Sequence, residues 1–394
     1  MGALLAASAG LVASWTQASS STAQVAPEPV AFRIELLEPE EPIVGITVEA
    51  RGDLDGASEF TLAEGWAGIA ESGRDLELVE ARGERESLAS ERVNSYTWQV
   101  QHAPGESLTV TFELKRTSHR ANAAPPGYYL PILEPGLCHL LGAQALPAPA
   151  HLDPQAARAI TLEWRGFDSA GWKTISSYGA TPKLTTTLAL DGFRHALFLA
   201  GDLRLARREI HGRALWTALF GRWSFTDEEF TKLAAEVVTT GREFFADFGT
   251  PHYLISAIPV LGSPGSSALG GTGLTNSFAL FMTPDARLSS GGDGVGGIDW
   301  LLSHELFHEW NGHVIRLAQP EQLAYWFSEG FTDFYARRLL LRGGRIRPEE
   351  YVASWNAKLR AFAANPERAV LASACAKPSG ASPRSARFRT SAAT

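Results

Sequence analysis

The stretch His304-Glu-Leu-Phe-His308 admits one local structure if it is to do chemistry. Two histidines four positions apart stack on one face of an α-helix, and in a strand or an open loop they would diverge. On a helix both rings can reach a single metal ion. Glu305, on the same turn, can take a proton from a water beside that ion. Ile298-Asp-Trp-Leu-Leu-Ser, just before the motif, carries apolar residues at helical spacing and predicts that the helix begins there. The pattern is that of a zinc site, with one ion per chain.

The third ligand sets the subclass. A metzincin needs Gly three residues after the second histidine and His six after it, and Asn311 and Val314 occupy those places. His313, close by, is read as lying off the metal-facing side. The remaining candidate is Glu329, twenty-one positions beyond His308, in a second helical stretch that stops at Gly343-Gly344. Asp333 follows one turn later, where a carboxylate can orient a metal-bound imidazole. The predicted ligands are therefore His304, His308 and Glu329, with Glu305 as base and Asp333 behind them.

Upstream the pattern changes to a period of two. Leu108, Val110, Phe112 and Leu114 alternate with polar residues, and Phe32–Leu36, Ile43–Ala50, Tyr96–Gln101 and Ile160–Trp164 read the same way. Gly and Pro clusters separate them, which predicts an antiparallel β-sandwich over residues 30–170. Helical spacing returns after Thr226-Asp-Glu-Glu229, a capping box, and predicts an amphipathic helix to about Gly249. His252 to Val260 reads as a strand. A Gly/Ser-rich loop from Gly262 to Gly273 follows, without the Lys-Ser or Lys-Thr of a phosphate loop. The run Asn276 to Met282 is expected to offer a sheet edge to an extended peptide.

The fold class expected is α+β and multidomain: the sandwich at 30–170 and an α/β catalytic domain at 175–370. Residues 1–26 read as a leader, apolar and then small, without a basic residue before Arg33, and imply a secreted or periplasmic protein. The stretch 374–394, basic and aperiodic, reads as a disordered or aberrant tail. The net charge of −8 and the lack of basic blocks argue against a nucleic-acid partner, and no apolar run is long enough to span a membrane. Two cysteines, Cys138 and Cys375, make neither a disulfide framework nor a structural zinc site.

His304-Glu-Leu-Phe-His-Glu-Trp-Asn311 together with Trp326-Phe-Ser-Glu-Gly-Phe-Thr332 resembles the glycyl-aminopeptidase family of zinc metallopeptidases, in the aminopeptidase N and thermolysin group. That resemblance implies a thermolysin-like catalytic domain, a peptide or protein substrate, and hydrolysis with water activated by zinc and Glu305. Members carry Gly-Gly-Leu-Glu-His before the motif, whose Glu holds the substrate's amino group. The counterpart here, from Gly270 to Ser277, has no carboxylate, so Gly270, Gly271, Thr272, Gly273 and Asn276 are the substrate-binding candidates and the choice between exo- and endopeptidase stays open. In the family an oxyanion tyrosine comes from beyond the last helix read here, which implies a C-terminally truncated chain. The alternative reading is a catalytically impaired, zinc-containing peptide-binding protein.

Overall fold

The alternation in the first half translates directly into buried and exposed faces. In a computed structural model describing residues 27–64, 72–115, 129–260, 268–290, 296–315 and 321–366, Leu108, Val110, Phe112 and Leu114 are all buried on one side of a strand. The predicted leader and tail lie outside the described residues, as do 261–267, 291–295 and 316–320.

The chain opens with β1 (Val30–Glu38), β2 (Ile43–Arg51), β3 (Ala57–Thr61), β4 (Leu76–Arg82), β5 (Ser90–Asn94), β6 (Thr97–Gln101) and β7 (Ser107–Lys115). Next come β8 (Ile132–Glu134), β9 (Leu137–Leu141), the short α1 (Gly142–Ala145), β10 (Ala148–Pro149) and β11 (Ala157–Arg165). They lead to β12 (Lys173–Ser176), β13 (Lys183–Ala189), α2 (Leu190–Arg194) and β14 (Leu197–Gly201). The last part holds β15 (Arg204–Ile210), β16 (Arg213–Leu219), α3 (Asp227–Phe245), β17 (His252–Pro259), β18 (Leu269–Leu274) and β19 (Ser277–Met282). Helices α4 (Ile298–Phe307), α5 (Tyr325–Arg342) and α6 (Pro348–Ala364) close it.

A six-stranded sheet, β13-β11-β1-β2-β7-β4, faces a four-stranded one, β10-β3-β6-β5. Phe32, Ile46, Phe60, Trp98 and Phe112 fill the space between them, with the Trp98 and Phe112 rings edge to face at 5.1 Å. All pairings in these two sheets are antiparallel except β1 with β11. Pairing carries the first sheet beyond residue 170, because β13 adds to its edge. The multidomain α+β architecture read from the sequence is the one observed.

The third sheet, β12-β14-β9-β8, packs against a five-stranded sheet, β15-β16-β17-β19-β18, through Leu197, Leu199, Leu254 and Phe281. In that five-stranded sheet β16, β17 and β19 run parallel, and both outer strands are antiparallel to their neighbours. Every residue of β19 is buried, as expected for an interior strand covered on both faces. Here the structure corrects the sequence reading. The edge is β18, Leu269–Leu274, and β19, Ser277–Met282, is the second strand in. Leu269 to Gly273 of the supposed Gly/Ser loop are therefore sheet.

Helix α3 starts as its capping box requires: Thr226 Oγ1 accepts from Glu229 N–H at 3.2 Å, and Thr226 N–H donates to Glu229 Oε2 at 2.8 Å. It ends at Phe245, short of Gly249, because Ala246 takes a left-handed φ of 50°. Helices α3 and α4 cover the free face of the five-stranded sheet through Phe230, Leu233, Val237, Leu302 and Leu306. No helix among the described residues is long and apolar enough to cross a membrane.

Candidate metal centre

Helix α4 buries Ile298, Leu301, Leu302 and Leu306 against the sheet, which turns Glu305 toward β18. Asp299, fully buried in its first turn, accepts from Ser290 N–H and Oγ–H at 2.7 and 2.6 Å and ties the preceding segment to the helix start. The helix runs out at His308, and the backbone leaves helical geometry at Asn311 (φ −97°, ψ 67°). Beyond it Trp310 stacks on Phe245 of α3 at 4.1 Å and donates to Asp247 at 3.0 Å. Both histidines therefore sit on a stretch clamped at each end.

Helix α5 brings the third group. His304 Nε2 lies 3.3 Å from Glu329 Oε2, and His308 Nε2 lies 3.8 Å from Glu329 Oε1. One ligand atom from each of the three falls within 4.8 Å of the others. Tetrahedral donors about 2.1 Å from one zinc ion would stand roughly 3.4 Å apart, so the cluster is of the right size and the donor set, two imidazoles and a carboxylate, is one zinc accepts. The three predicted ligands are thus brought together by two helices. The His313 side chain lies outside the described residues.

The electrostatics follow from this crowding. Burial pulls the His304 pKa down, but the hydrogen bond to Glu329 and the charges of Glu305 and Glu329 outweigh it, and the net shift is upward. Glu329 is held low, chiefly by its bond from His304 and against the effect of burial. Glu305 behaves oppositely. Burial raises its pKa to about 7, with the Glu329 charge adding, while His304 and the N–H of Gly273 pull it down.

Asp333 sits behind the cluster. Its Oδ1 accepts from Trp300 Nε1 and Arg337 Nη2, both at 3.2 Å, and its Oδ2 pairs with Lys358 of α6 at 2.6 Å. Burial would raise its pKa, but these cations and the indole N–H leave it lowered. The predicted bond to a ligand imidazole is not made: His304 Nδ1 is buried without a hydrogen bond. Asp333 reaches His304 instead through Trp300, whose ring lies 5.4 Å from the imidazole. Neither Trp300, Arg337 nor Lys358 stood out in the sequence, because a tryptophan and two cations within helices read as ordinary packing and solvation.

Of the substrate-binding candidates, Gly270 to Gly273 form most of β18, and Asn276 occupies the tight turn to β19 with φ 53°. A Cβ on Gly273 would stand 3.7 Å from the Glu305 main-chain oxygen and 3.9 Å from Oε2, so this glycine lies directly against the base. The Gly271 carbonyl, of the same outward parity, accepts from Tyr129 O–H at 3.0 Å. Tyr129 escaped the sequence reading because it borders a Pro/Ala stretch with no periodic signal.

An edge strand, a helix with two histidines and a second helix with a glutamate frame the site: a β domain is joined to an α/β domain in which the three candidate ligands converge. Residues 298–380 match the M61 glycyl aminopeptidase family, so the resemblance read from the sequence holds for the segment that carries the site. No curated protein matches the chain. Among solved structures, an aminopeptidase N family protein from Idiomarina loihiensis is similar at 18% identity and a TM-score of 0.64. That match covers 82% of this chain and 56% of that one, so this chain spans little more than half of the neighbour's length. An M1 zinc metallopeptidase from Deinococcus radiodurans matches at 14% identity and 0.52, over 87% of this chain and 77% of its own. A mutant of that enzyme bound to a Tyr-Ser-Ala substrate matches at 15% and 0.51, over 88% and 78%.

Proposed function

We propose that the chain is a zinc-dependent peptidase of aminopeptidase-like type, acting on peptides. The observation that carries this is the convergence of His304, His308 and Glu329 within 4.8 Å, with Glu305 facing the edge strand from the same helix. A zinc ion held by the three would polarise a substrate carbonyl and acidify a bound water. Glu305, flanked by His304 and by the Gly273 N–H, is placed to accept the proton of the attacking water and return it to the leaving amine. Helices α4 and α5 hold the ligands in register, and β18 offers outward backbone groups to an extended substrate. A peptide seated there would displace the Tyr129 hydroxyl from the Gly271 carbonyl.

The M61 glycyl aminopeptidase description favours cleavage from an amino terminus, and the Deinococcus mutant bound to Tyr-Ser-Ala favours a peptide substrate. The lack of a carboxylate on β18 favours a differently held amine or an internal cut. Glu305→Gln decides the mechanism: it should retain one zinc and lose at least about a hundredfold in turnover, the usual share of a general base. A variant that cleaves at the wild-type rate would remove Glu305 from its role. Running free and N-blocked peptides side by side separates amino-terminal from internal cleavage. Peptide binding by wild-type protein without turnover would instead support the zinc-containing, catalytically impaired reading.

A further inference from the structure

Asn311 touches two of the three metal-ligand residues' settings at once. Its main-chain carbonyl lies 3.1 Å from His308 Nδ1. A carbonyl oxygen only accepts, so Nδ1 carries the proton, which leaves Nε2, the atom that faces Glu329, as the nitrogen a metal would take. Its side-chain Nδ2 lies 2.9 Å from the Ser328 carbonyl, 3.4 Å from that of Phe327 and 3.1 Å from Thr332 Oγ1. These acceptors lie on either side of Glu329 in α5. Two carbonyl oxygens at that point require a donor, so the amide nitrogen, not the oxygen, faces the helix. The side chain is only 3% exposed, and Thr332 is fully buried.

We infer that Asn311 is a positioning residue for the metal site, fixing the tautomer of His308 through its main chain and the placement of Glu329 through its side chain. The inference rests on the zinc reading above. His304, by contrast, has no such bond at Nδ1, so the arrangement around two ligands depends on this one residue. It also explains the break in helical geometry. An α-helix continued through Asn311 would aim its carbonyl along the axis, away from the His308 ring, and its amide away from α5.

The test measures zinc affinity by competition with a chromophoric chelator, without any assay of turnover. Asn311→Asp keeps the volume but replaces the donor with a carboxylate facing two carbonyls, while Asn311→Ala removes the group. Both should weaken zinc binding by about tenfold to a hundredfold, the range for partners that orient ligands. Repeating the exchange on Glu329→Ala should abolish most of that loss, since the grip acts through Glu329. Thr332→Val, which removes one acceptor at constant volume, should weaken zinc about threefold and serves if the Asn311 variants do not fold, as judged by melting of the metal-free proteins. Affinities within twofold of wild type, or a loss of equal size without Glu329, would overturn the inference. Wild-type protein that takes up no zinc would overturn the metal reading itself, and this inference with it.

Discussion

Gly271→Ala probes how tightly the edge strand is seated beneath the site. A Cβ at this position would stand 2.3 Å from Phe278 Cζ and 2.6 Å from the Ala279 carbonyl oxygen. The ring belongs to the core, 1% exposed, and the oxygen belongs to the adjacent interior strand, so neither can move far. Overpacking of this kind costs about 1–3 kcal/mol. For a cooperative unit of roughly 150–250 residues that lowers the melting temperature by about 2–12 °C. Gly273→Ala is the matched control. Its methyl would meet only Glu305 O at 3.7 Å and Oε2 at 3.9 Å, ordinary contacts, and its backbone does not need a left-handed conformation. It should change stability by less than about 0.5 kcal/mol, since relief of chain entropy acts in its favour. Yet that methyl lies against the base and narrows the space for attacking water, so turnover should fall while the melt stays put. Calorimetry on the metal-free proteins, with peptide turnover on the zinc-loaded ones, reads both. A Gly271→Ala melt within 1 °C of wild type would refute the packing argument, and unchanged turnover in Gly273→Ala would refute the proximity to Glu305.

Thr226→Ala removes the side-chain half of the capping box of α3, the Oγ1 that accepts from Glu229 N–H, and should cost about 1 kcal/mol in urea melts, with no effect on zinc affinity. Metal removal should show in stability as well as in activity. Zinc at a hundred times its Kd stabilises the folded state by about 2.7 kcal/mol, so chelation should lower the melting temperature by several degrees, and His304→Ala should erase that difference.

The half-buried strands and the helices were legible because each carries a period. Strand β7 shows its buried face in every second residue, and α3 announces its start with Thr226 and Glu229. The edge strand was not legible, for a physical reason. Gly270, Gly271 and Gly273 have no side chains to alternate, so a strand made of them has the composition of a loop. Its neighbour β19 misled in the opposite sense. A run of apolar residues from Phe278 to Met282 is the mark of a strand buried on both faces, and such a strand cannot also be the rim.

The three residues that converge could be read at a distance of twenty-one residues because the spacing expected of metal ligands is imposed by chemistry. Two histidines one turn apart need only a helix, and a carboxylate from a second helix needs only an antiparallel return. What surrounds the ligands obeys no such spacing. The Asp333 carboxylate is met by Trp300 from α4, by Arg337 one turn along α5 and by Lys358 from α6, three partners at unrelated separations. Asn311 could be excluded as a metzincin glycine from its position alone, whereas its hold on Ser328 and Thr332 exists only once the chain has doubled back. Candidate ligands are therefore recoverable from a linear pattern, but the groups around them that bear on tautomer, charge and orientation are selected by tertiary proximity. In this chain those groups sit on both sides of the site. Asp333 reaches His304 through Trp300, and Asn311 governs His308 and Glu329, so exchanging either should disturb the zinc without touching a ligand.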